Sequence, residues 1–361
     1  DMSPSFADKK GKVIYFSSSR EESFGESRDL ITGHKFMDIF MATYDDKGNT
    51  SDIKTIDTEG IINTSQNEGS VCFDSKRKIM FFTRCPNPSK VSLGCDIWQV
   101  DVVGEEFENP IKLNLKSSDS ISVGHPCITE DGRMLIFASD MEMNSKGVKS
   151  YGGKDLWYVL YDKKTKTWES VPNNMGPEFN TFADELFPSI GLQGEFYFAS
   201  NGHIGIGGLD IFMAQRVGTE NKWSGVKNMG YPINSTGNDY GICTIDSKSG
   251  FFTSERKTAT SSEYSADIWS YTLPPNLFDL KVVVYEAGNK SNKIEGAKVE
   301  VLVSDGTKWE GITSDKGKEK GKTEKWIEKK DKSRYILADK TYTLKASKEG
   351  YYEDLRGAKF S

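Results

Sequence analysis

Short apolar runs rich in Val, Ile, Phe and Tyr recur along the first three quarters of the chain, each closed by Gly, Asp, Asn or Ser. β-branched and aromatic runs bounded by turn residues predict strands rather than helices. Asp184 to Arg216 shows the unit most plainly. It reads as an apolar run (FPSI), a tight turn (GLQG), a second run (EFYFAS), a Gly-rich loop and a third run (DIFMAQR). A fourth strand is expected near Trp223 to Val226. The runs are apolar on both faces, which suits sheets packed against neighbours on both sides.

The third run opens each time with Asp, then Ile or Leu, then Phe or Trp, at Asp38, Asp96, Asp155, Asp210 and Asp267, with intervals of 58, 59, 55 and 57 residues. A long period with little drift marks an array of one supersecondary unit. Four strands per unit and no helical periodicity predict a β-propeller. Five repeats are visible. The fifth ends at Pro274-Pro275, which forbids a further ladder strand, so its outermost strand is expected from residues ahead of Asp1, or a whole further blade lies there. Five blades are expected, with six as the alternative.

Residues shared by all repeats are expected to hold the repeat together. The recurrent Asp follows a Gly-rich turn (Gly94, Gly152-Gly153, Gly207-Gly208). Glycine there would supply positive φ, and the carboxylate would accept turn N–H groups. A ring of calcium ligands is disfavoured, because no loop gathers several ligands at short spacing. Ser5, Cys72, Cys127, Ser189 and Cys243 share one slot in the first strand, and the three cysteines read as small buried hydrophobes. Cys85 and Cys95 flank a short loop between two predicted strands and form the disulfide candidate, given an oxidising compartment.

After Pro274-Pro275-Asn276, read as a stiff linker, short alternating strands with Asp-Gly and Lys-Gly turns predict a small antiparallel β-sandwich. The expected domains are therefore 1–273 and 277–361. Trp309, Trp326, Tyr342 and Leu344 are its expected core or edge residues. Net charge is −6 overall, but the tail from Leu277 carries +4 and the remainder −10. An acidic body with a mildly basic tail argues against nucleic-acid binding. The Lys-rich stretch Lys316 to Arg334 is interleaved with acids and reads as a solvated face. No apolar run reaches membrane-spanning length, and no signal pattern opens the chain.

The phrases NMGYPINSTGNDYGICTI and NMGPEFNTFADELFPSI resemble the PD-type, WD-like propeller repeats of Bacteroidota outer-membrane-associated proteins. The matching positions are Trp223, Asn228, Gly230, Ile233, Asn234, Asp184, Glu185, Pro188, Ser189, Gly207, Gly208, Asp210, Ile211 and Phe212. The tail segments IEGAKVEVLVSDGT, TSDKGK and YTLKASKEGYY resemble a carboxypeptidase-regulatory-like, transthyretin-type domain. Propeller followed by regulatory-like domain is the order of the PorE-like, OmpA-family lipoproteins of the type IX secretion system. That resemblance implies a periplasmic, outer-membrane-associated protein whose partners are envelope proteins, secretion components among them. It implies peptidoglycan binding only through an OmpA-like domain that has no counterpart in this sequence.

The expected function is a non-catalytic scaffold, not an enzyme, with no cofactor and no metal. Its contact surfaces are expected on the loops Ser19 to Phe36, Asp140 to Gly153 and Asn201 to Gly208. A propeller glycosidase would need paired carboxylates, for which Glu68, Asp184, Glu185 and Asp239 are the candidates. Near-equivalent acids recur in several repeats, whereas a catalytic site breaks repeat symmetry. No Gly-x-Ser-x-Gly supports a serine peptidase, and His34, His125 and His203 form no metal-spaced pair. A glycan-binding module is the further alternative. It would need an exposed aromatic cluster outside the repeat pattern, with Tyr151, Tyr231 and Tyr351 as the candidate members.

Overall fold

A computed structural model describes residues 1–6, 12–26, 28–29, 33–45, 49–86, 93–104, 106–246, 248–257, 265–273, 277–278, 282–304, 306, 308–313, 336–337 and 341–359. Pro274-Pro275, Trp326 and the stretch Lys316 to Arg334 lie outside them, as does the side chain of Trp309. The chain divides into two compact units, Asp1–Thr272 and Leu273–Ser361.

The first unit is five antiparallel sheets. They comprise β1 (Met2–Phe6), β2 (Val13–Ser18), β3 (Asp38–Tyr44) and β4 (Thr50–Thr55), then β5 (Asn67–Asp74), β6 (Ile79–Cys85), β7 (Asp96–Val103) and β8 (Glu106–Lys112). The third sheet has β9 (Val123–Ile128), β10 (Met134–Ser139) and β11 (Asp155–Asp162), with β12 (Thr167–Trp168) and β13 (Asn173–Asn174) both paired to β11. Pro172 divides those two outer pieces, since it has no N–H for the ladder. The fourth has β14 (Glu185–Ile190), β15 (Phe196–Ser200), β16 (Asp210–Arg216) and β17 (Trp223–Asn228), and the fifth β18 (Asp239–Thr244), β19 (Ser249–Ser254) and β20 (Asp267–Thr272).

The inner strands β1, β5, β9, β14 and β18 contact one another in turn, and β18 contacts β1. The ring closes with five blades, so the six-bladed alternative is not kept. Apolar cores fill the seams. Phe81, Ile97 and Leu115 of the second blade pack with Leu135, Phe137 and Trp157 of the third. Phe16 and Phe40 of the first blade pack with Phe251 of the fifth.

Glycines set the loop-to-blade distance. An added Cβ would lie 2.2 Å from the Ile121 carbonyl oxygen at Gly94, 2.2 Å from the Phe182 carbonyl carbon at Gly152 and 2.3 Å from the Gly237 carbonyl oxygen at Gly207. None of Gly94, Gly152, Gly153, Gly207 and Gly208 has positive φ. This corrects the reason expected for them. They are small because the loop between the second and third strands lies against the backbone entering the next blade.

The second unit contains an antiparallel sheet in the order β25 (Lys308–Ile312), β24 (Lys298–Val303), β27 (Thr341–Ser347) and β28 (Asp354–Lys359). Two further strand pairs join β21 (Leu277–Phe278) to β26 (Ile336–Leu337), and β22 (Tyr285–Glu286) to β23 (Asn289–Lys293). Val299, Val301, Val303 and Tyr342 form its buried core, with Leu344 packed against them.

Candidate functional site

Every inner strand of the propeller carries a β-bulge at the same place, where the register slips between Met2 and Ser5, Gly69 and Cys72, Gly124 and Cys127, Leu186 and Ser189, and Tyr240 and Cys243. The bulged residue is left-handed in all five: Ser3 (φ 54°), Ser70 (48°), His125 (53°), Phe187 (51°) and Gly241 (59°). A left-handed aromatic residue costs about 1–3 kcal/mol, and bulges commonly re-aim side chains beside functional sites.

A hydroxyl on the second strand of the preceding blade holds three of these bulges. Ser3 N–H donates to Thr253 Oγ1 (2.8 Å), Ser70 N–H to Ser17 Oγ (3.1 Å) and His125 N–H to Thr83 Oγ1 (2.8 Å). In the third and fourth blades that hydroxyl is replaced by Ala138 and Ala199. Phe187 N–H donates instead to His125 Nδ1 (3.4 Å). A backbone N–H can only donate, so the ring proton of His125 sits on Nε2. Burial, with Lys154 nearby, pushes the His125 pKa down to about 3, so the imidazole is neutral at physiological pH.

The symmetry is broken in the same arc. His125 stacks on Phe187 (centroids 3.8 Å apart, 14° between planes), and Phe187 stacks on Tyr240 (4.5 Å, 25°). On the first two blades the bulges instead present two serines, with Ser70 Oγ 3.3 Å from Ser3 Oγ. An axial cavity of about 220 Å³ runs along the inner strands, lined by His125 and Phe187, by Ser3 and Ser70, and by the small-residue slot. Ser5, Cys72, Cys127, Ser189 and Cys243 are among the residues along it, and the three cysteines pack into the apolar cores between blades. Burial raises the three thiols, Cys127 to about 12, so they are unreactive at neutral pH.

The candidate acids lie elsewhere. Glu68 accepts from Thr64 N–H (3.1 Å), Thr64 Oγ1 (2.5 Å) and Arg84 Nε (2.9 Å). Glu185 accepts from Thr181 N–H (2.7 Å), Thr181 Oγ1 (2.6 Å) and Ser200 Oγ (2.7 Å). Asp239 takes Ser235, Ser254 and Arg256, and Asp184 takes the Lys154 N–H (2.8 Å). None of the four lines the axial cavity. The acids that do line it are Asp74 and Glu130, and Asp74 is paired with Arg77 (2.6 Å). Among the described residues no group of three or more His, Cys, Asp and Glu is arranged to hold a metal ion.

The recurrent Asp begins the third strand of each blade, and Asp38, Asp155 and Asp210 are fully buried. Each accepts a backbone N–H of its own loop: Phe24 to Asp38, Tyr151 to Asp155 (2.8 Å) and Ile206 to Asp210. Asp96 instead pairs with Lys116 (2.8 Å), and Asp267 is exposed. Burial raises Asp38 to about 7, against the pull of the Phe24 N–H and with Glu68 and Asp57 adding to the rise. The folded pKa lies above the unfolded value of about 3.9, so between about pH 4 and pH 7 the native state holds the extra proton. Stability contributed here is complete at the acid end and falls as pH rises through that window. Glu68 and Glu185, also raised by burial, act in the same direction. Melting temperatures at pH 5 and pH 8 are expected to show the drop, and Asp38→Asn is expected to narrow it.

Cys85 and Cys95 are joined by a disulfide that closes the loop between β6 and β7. Of the exposed aromatics proposed for sugar stacking, Tyr151 and Tyr231 lie on the propeller loops and Tyr351 in the second unit. Phe182, 80% exposed and beside Gly152, was missed because it falls in an otherwise polar connector. None of the four lines the axial cavity.

No protein-family model and no curated protein matches the chain. Solved structures do match. One is an exo-β-1,3-galactanase from Clostridium thermocellum, at 13% identity over 93% of this chain and 75% of that one, with a TM-score of 0.44. Another is an α-L-arabinofuranosidase from Lactobacillus brevis, at 9% identity over 81% and 92%, TM-score 0.45. A third is a protein of unknown function from Dyadobacter fermentans, at 11% over 76% and 82%, TM-score 0.41. Likeness at this level concerns the fold, and no residue role is carried across.

Two expectations are corrected here. Several of the matched structures are glycan-cleaving enzymes by name, and none of the three above is a secretion scaffold by name. The reading as a non-catalytic secretion scaffold, and the flat exclusion of enzymatic activity that went with it, are withdrawn. The signal for the axial site was present in the sequence. His125 and Phe187 occupy a slot that is Ser, Ser and Gly in the other copies, but nothing in the apolar pattern marks that slot as a bulge.

Proposed function

We propose that the propeller is a glycan-binding module that holds one sugar unit at its axis. The observation that carries this reading is the two-sided mouth of the axial cavity. Two stacked rings, His125 and Phe187, stand on one arc, backed by the buried ring of Tyr240, and two serine hydroxyls and the neutral Nε2–H of His125 supply hydrogen-bonding groups. A pyranose or furanose ring has the matching character, with an apolar C–H face and a hydroxyl edge. The volume of about 220 Å³ falls below the roughly 300–1,000 Å³ of pockets for drug-sized ligands. It suits a terminal unit rather than an internal stretch of chain.

The test is calorimetric titration with oligosaccharides ending in galactose or arabinofuranose, with free sugar assayed in the same mixtures. His125→Ala is expected to weaken binding about tenfold or more, the worth of a buried hydrogen bond together with a stacking contact. Its melting temperature is expected to fall, since Phe187 N–H loses its acceptor, so affinities are compared at a temperature where both proteins are fully folded. Equal affinity for parent and variant would remove the axial cavity from the reading.

The second unit is read as the transthyretin-type sandwich of the resemblance, with its four-stranded antiparallel sheet and valine core as support. An extracytoplasmic location is likewise a proposal, supported by the Cys85–Cys95 disulfide, because such bonds persist in oxidising compartments.

A further inference from the structure

At four seams of the propeller the residue before the recurrent Asp donates its N–H to a side chain on the connector entering the next inner strand. Met37 donates to Asn67 Oδ1 (3.0 Å), Cys95 to Ser122 Oγ (3.2 Å), Lys154 to Asp184 Oδ1 (2.8 Å) and Leu209 to Asn238 Oδ1 (2.9 Å). Of these pairs, three carry no charge, and the one between the third and fourth blades sets a cation beside an acid. The contact is the same at every seam, so the fold does not call for the charges. Lys154 and Asp184 are half-buried. Among the described residues, neither the Lys154 ammonium nor the second Asp184 oxygen has a partner.

The same seam departs from the repeat a second time. Thr64, Thr181 and Ser235 each donate an N–H to the acid four residues on, and the residues that follow them are Ser65, Phe182 and Thr236. Phe182 is 80% exposed, and its backbone lies against Gly152, next to the exposed Tyr151. An aromatic side chain in water offers a flat apolar face that its small polar counterparts lack.

Both departures fall beside the arc that breaks the symmetry at the axis. Phe182 and Asp184 stand five and three residues before Phe187 on one segment, at most about 18 Å and 11 Å of chain. Burial first, and Lys154 second, keep the His125 ring neutral, which sets Lys154 near the other member of the axial stack. A residue shared by all copies holds the repeat together, whereas these four side chains are peculiar to one seam.

We propose that this seam extends the axial site and binds the sugar units that follow the terminal one, so that the ligand is a neutral oligosaccharide of trisaccharide length or longer; the inference rests on the glycan-binding reading above. The unit next to the axis takes a hydrogen bond from Lys154 and gives one to Asp184. A donor and an acceptor side by side match the hydroxyls of a sugar, each of which can do both. The unit beyond lays its C–H face on Phe182 and Tyr151.

The test is calorimetric titration of the 361-residue chain with galactose and arabinofuranose sugars, each as a series from monosaccharide to tetrasaccharide. Affinity in one series is expected to rise about tenfold or more from monosaccharide to trisaccharide and then to level off. Three variants put back what the other seams carry: Lys154→Met as at Met37, Asp184→Asn as at Asn67 and Asn238, and Phe182→Thr as at Thr236. The main-chain contact survives in each, because the N–H of residue 154 remains and Asn presents the same Oδ1, and melting temperatures check the fold. Each variant is expected to bind the trisaccharide about threefold to tenfold more weakly than the parent, with the gain from added length reduced to match. His125→Ala is expected instead to weaken every member of the series alike. Equal affinity at all lengths in the parent would overturn the extension and leave the axial site in place. So would variants that keep the full gain with length. Failure of every sugar to bind, the monosaccharides included, would overturn the axial reading and this inference with it.

Discussion

Glu68→Gln is expected to destabilise the propeller by about 3 kcal/mol or more, whereas Glu185→Gln, at the equivalent place two blades on, is expected to cost about 1 kcal/mol. Both glutamates open an inner strand region and are capped by a Thr four residues earlier. The difference is the third partner. One oxygen of Glu185 receives two hydroxyls, Thr181 Oγ1 and Ser200 Oγ, and the other receives the Thr181 N–H. The Thr181 hydroxyl can reverse and accept, so a glutamine placed with its amide nitrogen toward it keeps the Thr181 bonds and loses only that of Ser200, whose Oγ already accepts from Gly202 and His203 N–H. Glu68 receives Arg84 Nε and Thr64 Oγ1 on one oxygen and the Thr64 N–H on the other. Either orientation of an amide in that place would set an N–H against an N–H. The Arg84 side chain, 9% exposed, would also lose its carboxylate partner while still buried over Trp98 and bonded to the carbonyls of Ile61 and Ile62. Breaking a buried pair from one side leaves an uncompensated charge, the costly case. Urea-unfolding midpoints followed by tryptophan fluorescence check the contrast. Equal midpoints for the two variants would mean that Arg84 finds water when the side chain at position 68 is neutral.

The same pair of glutamates shows what the sequence could and could not disclose. Their recurrence was legible, and with it the inference that repeated acids hold the repeat together. Their hydrogen-bond partners were not, because Thr64, Arg84, Thr181 and Ser200 become neighbours only when strands pair. The five repeat aspartates and the strand order follow from periodicity, since a strand buried on both faces must be apolar on both. The axial site was less visible for a physical reason. A bulge adds one residue to a strand and re-aims the side chain there, so His125 and Phe187 stand where simple alternation would place them differently. Ring closure was open in the sequence because it depends on one contact, β18 against β1, between strands at opposite ends of the propeller sequence.

Gly152→Ala and Gly207→Ala are each expected to cost about 3 kcal/mol, the upper end for overpacking a site that cannot yield. The obstacle at Gly152 is the Phe182 backbone, whose carbonyl carbon, oxygen and Cα would lie 2.2, 2.3 and 2.5 Å from the new Cβ. At Gly207 it is the carbonyl oxygens of Gly237 and Ser235, at 2.3 and 2.4 Å. A flexible side chain could swing aside, but these atoms are main chain on the approach to the next inner strand. That strand is in turn pinned, as Gly153 N–H donates to Ala183 O (2.9 Å) and Glu185 N–H to Lys154 O (2.6 Å). Opening the seam to admit a methyl group would strain those bonds together. The lower entropy of the unfolded chain returns only about 0.4–1 kcal/mol, so the balance stays unfavourable. Gly357→Ala, in the second unit with nothing within 4 Å of the added Cβ, is the control and is expected to leave the propeller midpoint unchanged. If the two seam variants unfold with the parent, the loops are free to lift from the blade behind them, and the close approach of backbone to backbone does not hold the ring together.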